Sequence, residues 1–411
     1  MSTAQISQEQ ELGVNTAVNL LFMCDFPPSN LAGGSILISR LLADYPVSRL
    51  SVLTGSQYFR ISPTEGRLAC EHLVFPTTKG RGKWGLGRIK NLIDWMAVFL
   101  LIFKTVVVIK QRKIEAVLSI AHGRFFLAAA VATRLTGIPF ILIVHDDWLT
   151  PVERASPLQA RFVRRLSRMA IQEAAHIYAV SPEMHEFLKR EFKVESEVQL
   201  VATELHIADV RGLANRSRSG VIVYAGQITE AVEDNLKLLA KIICNGKLDQ
   251  LGAYDANLCL CTKISAETIR DWGWQHPRIS VRGWVSQNEL HDVLADADLL
   301  FLPFSFSESA RYAVERAFPS KTADYLAAGR PILVFGPRYS SLVRYAEEQG
   351  FAEIVDEFDE SLLAHGVQRI FSDSARRNQL CQRSLAVFEQ NHNIVRQRKE
   401  LRSLLARIAT I

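Results

Sequence analysis

Short apolar runs alternate with helix-length stretches through nearly the whole chain, and this alternation limits the folds open to it more than any other feature. In the first half the runs Val18–Cys24, Leu50–Leu53, His72–Phe75, Ala116–Ile120, Phe140–Val144, Ile177–Val180 and Val198–Val201 read as strands. Helical patterns fall between them, at Ser35–Ala43, Arg88–Arg112, Arg124–Thr136, Pro157–Ala174 and Pro182–Phe192. Runs continuous in Val, Ile and Leu are what a parallel strand covered on both faces requires, and the intervening helices supply the cover. The pattern lapses into the polar stretch Asp209–Gly220, then resumes with strands at Val221–Ala225, Leu258–Cys261, Ile279–Val281, Leu299–Leu302, Ile332–Val334 and Ala352–Val355. The expected architecture is α/β, with two Rossmann-like doubly wound domains. Residues 1–16 read as a disordered lead-in, 17–206 as the first domain, 207–219 as a linker and 220–391 as the second domain. A charged helical tail follows from about Ser374 to Ile411.

With 411 residues, 48% of them apolar, the chain has core enough for two domains. A net charge of +5 lacks the dense basic stripe with interleaved aromatics of a nucleic-acid binder. It fits anionic small molecules or an anionic membrane surface, and no nucleic-acid partner is expected. The six cysteines show no framework spacing, which favours a reducing compartment. Cys259 and Cys261 share a strand face without a second pair nearby, so buried thiols are expected there and no metal site. Residues 1–16 have neither a basic start nor an apolar signal core, which points to the cytoplasm. The longest apolar run, Trp95–Ile109, is broken by Lys104 and falls short of the roughly 20 residues of a spanning helix. It reads as a crossover helix against the sheet; the alternative is a helix whose basic lead-in, Arg81, Lys83, Arg88 and Lys90, leans on anionic lipid at the inner membrane face.

The densest local signal is Ala317–Gly336, which puts a loop, a helix and a buried strand in one run. Pro319 ends what precedes it, Ser320 is placed to cap the next turn, and Gly329 with Pro331 stops the helix after about two and a half turns. Lys321 at a helix N-terminus adds a full charge to amides that already favour phosphate. Asp324, one turn on, can accept hydrogen bonds from a vicinal diol such as a ribose. The plainer reading is a capped helix with a solvated lysine and an aspartate complementing the dipole.

This segment, Pro319-Ser320-Lys321 followed by Asp324-Tyr325-Leu326-Ala327-Ala328-Gly329-Arg330-Pro331, resembles the corresponding stretch of the nucleotide-sugar-dependent glycosyltransferases of family 4, which have the GT-B fold. The resemblance covers nearly the whole chain. It implies that Ser320 and Lys321 meet the donor diphosphate, that Asp324 holds the ribose hydroxyls, that the active site lies in a cleft between domains, and that residues from about 392 return to the first domain. The family's fuller motif has two glutamates separated by seven residues; here the position eight before Asp324 is Arg316, and Glu308 is taken as the substitute.

Ligands of open parallel sheets bind at the carboxyl ends of strands, and further candidates sit there. The loop Asp25–Ser35 contains Gly33 and Gly34, which resemble the glycine loop that meets acceptor and donor phosphates; a tight turn is the alternative. Val144 is followed by His145, Asp146, Asp147 and Trp148: an imidazole for a sugar hydroxyl or leaving oxygen, carboxylates to orient the acceptor or take its proton, and an indole to stack on a pyranose. Capping and solvation of a loop would use the same residues. A literal Gly-x-Gly-x-x-Gly at Gly80, Gly82 and Gly85 is not in the first strand–helix turn and lacks the downstream acid of a dinucleotide site. With Lys79, Arg81 and Lys83 it reads as a basic loop, either solvated or touching an anionic acceptor through Arg81. In the second domain Gly226 ends the first strand like the family's donor-phosphate glycine, with Gln227 and Thr229 where basic residues are common, while Gly283 and Val285 match the place where the base lies against main chain.

The expected protein is thus a glycosyltransferase moving a hexose-type sugar from a nucleoside diphosphate to a glycan or lipid-linked acceptor, retaining and metal-independent by resemblance, without a cofactor, in polysaccharide assembly. A sugar-nucleotide epimerase and a non-catalytic nucleotide-sugar-binding scaffold are the alternatives.

Overall fold

In the computed structural model of the protein, the described residues are 17–29, 33–62, 64, 66–77, 87–150, 157–204, 220–230, 232–252 and 256–409. The lead-in at 1–16, the basic loop with Arg81 and its glycines, and the linker at 207–219 lie outside the described residues. The chain divides into two compact units, Met1–Gln199 with Ile394–Ile411, and Leu200–Asn393.

The first unit is built on strands β1 (Leu20–Cys24), β2 (Leu50–Gly55), β3 (Glu71–Phe75), β4 (Ala116–Ile120), β5 (Phe140–Val144), β6 (His176–Ala179) and β7 (Glu197–Val198). They form one parallel sheet in the order β3-β2-β1-β4-β5-β6-β7. Leu20 pairs with both Leu50 and Ala116, so β1 sits where the order reverses, the place at which open α/β sheets receive ligands. Every residue of β1, β4 and β5 is buried, which is why these segments are apolar without alternation. Val198–Val201 was expected as the last strand; only Glu197–Val198 pairs, because the chain leaves the sheet after Gln199 donates to the Ala179 carbonyl.

The helix Gly87–Gln111 crosses over between β3 and β4, burying Val98, Leu101, Val108 and Ile109. Its outer side keeps Met96, Phe99, Leu100 and Phe103 between 59% and 72% exposed. None of the described helices is long and apolar enough to cross a membrane. The last helix, Ile394–Ile408, packs on the first unit: Arg398 Nε donates to the Arg40 carbonyl at 2.8 Å and an Arg402 guanidinium nitrogen to that of Asp44 at 2.7 Å. The charged tail is therefore not one helix, since it breaks at Phe388–Asn393.

The second unit carries β8 (Val221–Ala225), β9 (Asn257–Cys261), β10 (Ile279–Val281), β11 (Leu299–Pro303), β12 (Ile332–Phe335) and β13 (Ala352–Val355), parallel in the order β10-β9-β8-β11-β12-β13. The order reverses between β8 and β11, so the loops after these two strands are the favoured ligand positions. His392 is fully buried in this unit, with Nδ1 2.6 Å from the Val201 carbonyl oxygen and Nε2 2.9 Å from Tyr345 Oη. Burial lowers its pKa to about 4 despite the bond to Val201. All six cysteines are free thiols.

Candidate active site

In the first unit the strand ends at the reversal bring together residues far apart in sequence. Asp25 follows β1; its carbonyl accepts from Gly55 N at 3.1 Å, and its Oδ1 lies 2.7 Å from Nδ1 of His122, which follows β4. The Cys24 thiol donates to the same carboxylate oxygen at 3.4 Å. Burial works against a charged His122, but the hydrogen bond and charge of Asp25, helped by the charge of Asp146, raise its pKa on balance. Asp25 and His122 were not foreseen as site residues. The strand-end rule applied to β4 was the signal that could have found them.

His145, leaving β5, contacts Asp146 Oδ2 through Nε2 at 3.0 Å. The charge of His145 lowers the Asp146 pKa, against the opposing effect of desolvation. The Asp146 side chain remains 56% exposed and can reach a ligand. The imidazole packs against the glycine loop so closely that a Cβ on Gly34 would stand 2.7 Å from Nε2. Gly34 is thus required by close approach, whereas Gly33 is exposed. Phe26 lies edge-on to both His122 and His145 at centroid distances of 5.2 and 6.4 Å, and the two imidazoles are themselves 6.4 Å apart. The His145 Nδ1 atom is buried without a hydrogen-bond partner among the described residues.

Two neighbours of His145 serve the fold instead. Asp147 accepts from the Leu149 and Thr150 amides at 3.1 Å each and from Thr150 Oγ1 at 2.7 Å, closing the turn after β5. Trp148 was expected to stack on a sugar, but its indole turns inward: it stacks on Phe192 at 6.1 Å, meets Phe126 edge-on at 5.7 Å and donates Nε1–H to Ser167 Oγ at 3.0 Å. A ring engaged on these sides is not available as an acceptor platform.

In the second unit Lys321 opens the helix Lys321–Ala327 and reaches the end of β8. Its Nζ donates to Tyr224 Oη at 2.8 Å and lies 4.0 Å from that ring's centroid, and Tyr224 in turn donates to the Gln227 carbonyl at 2.7 Å. Gly226 has φ of +138°, and a Cβ there would come within 2.9 Å of Nζ. Only glycine combines that backbone with that approach. The ammonium is enclosed although the residue as a whole keeps partial solvent contact, and desolvation lowers its pKa to about 7. Asp324 is 9% exposed, one turn along the same helix.

Ser320 itself has helical φ and ψ of −59° and −30° and makes no side-chain cap bond, so its expected capping is not present. The helix is seven residues long and ends before Gly329, whose φ is +60°. Gln227 is exposed and takes part through its carbonyl. Gly283, with φ of +76°, and Val285 lead from β10 into the helix Gln287–Ala295, whose Ser286 and Glu289 form a reciprocal capping box. Glu308 is 75% exposed and pairs with Arg311 at 3.5 Å in a short 3-10 turn after β11. Among the described residues its ion-pair partner is Arg311, and this exposed, locally paired carboxylate is not directed toward Lys321 by a contact.

Cys24, Asp25 and His122 have ligand atoms within 4.8 Å of one another, the one such metal-compatible group among the described residues. Their chemistry fits a hydrogen-bonded set: burial keeps the Cys24 pKa well above its usual value, and Asp25 Oδ1 already receives both neighbours.

Residues 73–203 match the family model described as Glycosyltransferase Family 4, and residues 219–373 that of Glycosyl transferases group 1. The chain belongs to these nucleotide-sugar glycosyltransferases, and its two doubly wound sheets are those of the GT-B fold. Among solved structures it is similar to Anabaena Alr3699/HepE in complex with UDP and glucose, at 13% identity and a TM-score of 0.61, over 95% of this chain and 99% of that one. Sucrose-phosphate synthase from Thermosynechococcus elongatus aligns at 13% identity and a TM-score of 0.65, over 94% and 97%. A UDP-forming trehalose-phosphate synthase from Burkholderia xenovorans aligns at 12% and 0.60, over 96% and 100%. No curated protein matches by sequence.

Proposed function

We propose that this glycosyltransferase moves a hexose-type sugar from a uridine diphosphate donor to a glycan or lipid-linked acceptor in polysaccharide assembly, keeping the anomeric configuration and using neither metal nor cofactor. The observation that carries the donor side is the Lys321 ammonium, enclosed at the end of β8 against a glycine whose backbone and close approach disfavour any side chain. A diphosphate placed there gains a charge-assisted bond and access to backbone amides. When the bond between the sugar and the diphosphate breaks, the leaving oxygen takes the electron pair, and a positive group already in position stabilises that charge. Asp324 is the residue proposed for the ribose, Gly283 and Val285 for the base, and His145 with Asp146 for the sugar and acceptor hydroxyl. UDP is the nucleotide named in complexes of the structural neighbours.

The protein is proposed to work on the cytoplasmic side, resting on an anionic membrane through the exposed side of Gly87–Gln111. Met96, Phe99, Leu100 and Phe103 follow the i, i+3, i+4, i+7 spacing of one helix face. The test of the transfer reading is product analysis with UDP-hexoses, with and without glycan and lipid-linked acceptors. UDP and a glycosylated acceptor formed together support it; an altered UDP-sugar formed with no acceptor present would replace transfer by epimerisation.

A further inference from the structure

Within the first unit, the ends of β1 and β3, the helix Ser56–Ile61, the start of the helix Phe125–Thr136 and the inner side of the helix Gly87–Gln111 border a pocket of about 300 Å³, at the small end of ligand-sized cavities. Its walls are largely carbon: Phe75, Pro76, Val98, Leu101 and Phe125 line it, with the Phe75 and Phe125 rings edge to face at 6.4 Å. Asp25 lines it too, and here the two carboxylate oxygens differ. Oδ1 is taken by His122 and Cys24, whereas Oδ2 has no partner among the described residues. A Cβ on Gly123 would stand 2.9 Å from Oδ2, so glycine at this position leaves that oxygen approachable. A free carboxylate oxygen set beside an apolar recess matches a molecule whose hydroxyl stands next to a hydrocarbon group; a plain glycan would leave the phenylalanine and leucine walls facing sugar hydroxyls without partners.

Resting on the transfer reading and narrowing its acceptor, we infer that this pocket seats the hydrocarbon group of an amphipathic acceptor, whose neighbouring hydroxyl is held by Asp25 Oδ2. The helix that forms the pocket's wall is also the one with the exposed apolar outer side, so one element faces both the acceptor's hydrocarbon group and an apolar surface from which it could be drawn.

The test compares methyl and hexyl β-glucopyranoside as binding probes for the full-length protein by ligand-observed NMR, with nucleoside diphosphate binding followed separately by thermal shift. The hexyl glycoside binds at least about tenfold more tightly than the methyl one, because a few methylenes leave water. Val98→Trp, which fills the recess, removes that preference, and Ala97→Leu, at a half-buried position that tolerates bulk, reduces it; both keep the nucleotide response of the parent. Phe99→Ser combined with Phe103→Ser, on the outer side, leaves the preference intact. Equal affinity for the two probes, or a preference that survives Val98→Trp but is lost with the outer-side pair, overturns the inference. A hexyl preference in a protein that answers to no nucleoside diphosphate keeps the pocket and overturns the transfer reading instead.

Discussion

Removing the Lys321 ammonium separates a ligand-binding role from a structural one. Among the described residues its hydrogen-bond partner is Tyr224 Oη at 2.8 Å, and Tyr224 keeps its own bond to the Gln227 carbonyl when the lysine is gone. Lys321→Ala therefore loses about 1 kcal/mol of hydrogen bonding while relieving a desolvated charge, and the melting temperature stays within a few degrees of the parent. Toward a nucleoside diphosphate the variant loses a charge-assisted bond of about 2 kcal/mol, roughly thirtyfold in affinity. The pH dependence sharpens the test. With the pKa lowered by desolvation to about 7, the charged fraction falls from about one half at pH 7 to about one tenth at pH 8. A bound diphosphate raises that pKa, so binding takes up a proton and affinity falls about fivefold over this interval. Isothermal titration calorimetry of the parent and of Lys321→Ala, at both pH values and in buffers of different ionisation enthalpy, reads affinity and proton uptake together. Unchanged affinity in the variant refutes the phosphate role, and a parent whose affinity is flat from pH 7 to 8 refutes the lowered pKa of the lysine.

Three further outcomes follow from the geometry. His145→Ala lowers the transfer rate by about 10² to 10⁴ while donor affinity changes little, measured by steady-state rates and calorimetry; full activity would remove His145 from the chemistry. Gly34→Val places carbon where a Cβ is already 2.7 Å from His145 Nε2, so activity falls at least about tenfold through the displaced ring, and a fully active variant would show that the ring position is immaterial. His392 is neutral when folded, with a pKa of about 4, while the unfolded chain takes up its proton near pH 6.5. Folding stability is therefore fully present above about pH 6.5 and declines toward pH 4, by up to about 1.4 kcal/mol per pH unit in the middle of that window. Urea unfolding across the window shows a slope one proton smaller in His392→Gln, and identical slopes would count against it.

The strands were legible because two-sided burial demands unbroken apolar runs, and Ala116–Ile120, Phe140–Val144, Val221–Ala225 and Ala352–Val355 begin and end where expected. The short helix Ser56–Ile61 was not, since none of its residues is buried and it carries no apolar period. Glycine spacing carried more than it disclosed: Gly226 was placed by resemblance, but its need arises from Lys321, which is 95 residues away in sequence and adjacent only in the fold. The Asp25–His122 pair is the same case, two polar residues at neighbouring strand ends with a separation of 97 that no local pattern reveals. Trp148 shows the opposite limit. Sequence places an aromatic at a strand end, but whether it turns toward ligand or core depends on Phe126, Phe192 and Ser167, contributed by three other segments. Ser320 had the residue type of a cap without the extended backbone that a cap requires.

The most direct test of nucleotide-sugar dependence is thermal unfolding of the parent protein against a panel of nucleoside diphosphates and their hexose conjugates, because a ligand that binds only the folded chain raises its melting temperature with its affinity. The account predicts that UDP and a UDP-hexose stabilise the parent and that Lys321→Ala is stabilised distinctly less at the same concentrations; a parent indifferent to every nucleotide in the panel would contradict it.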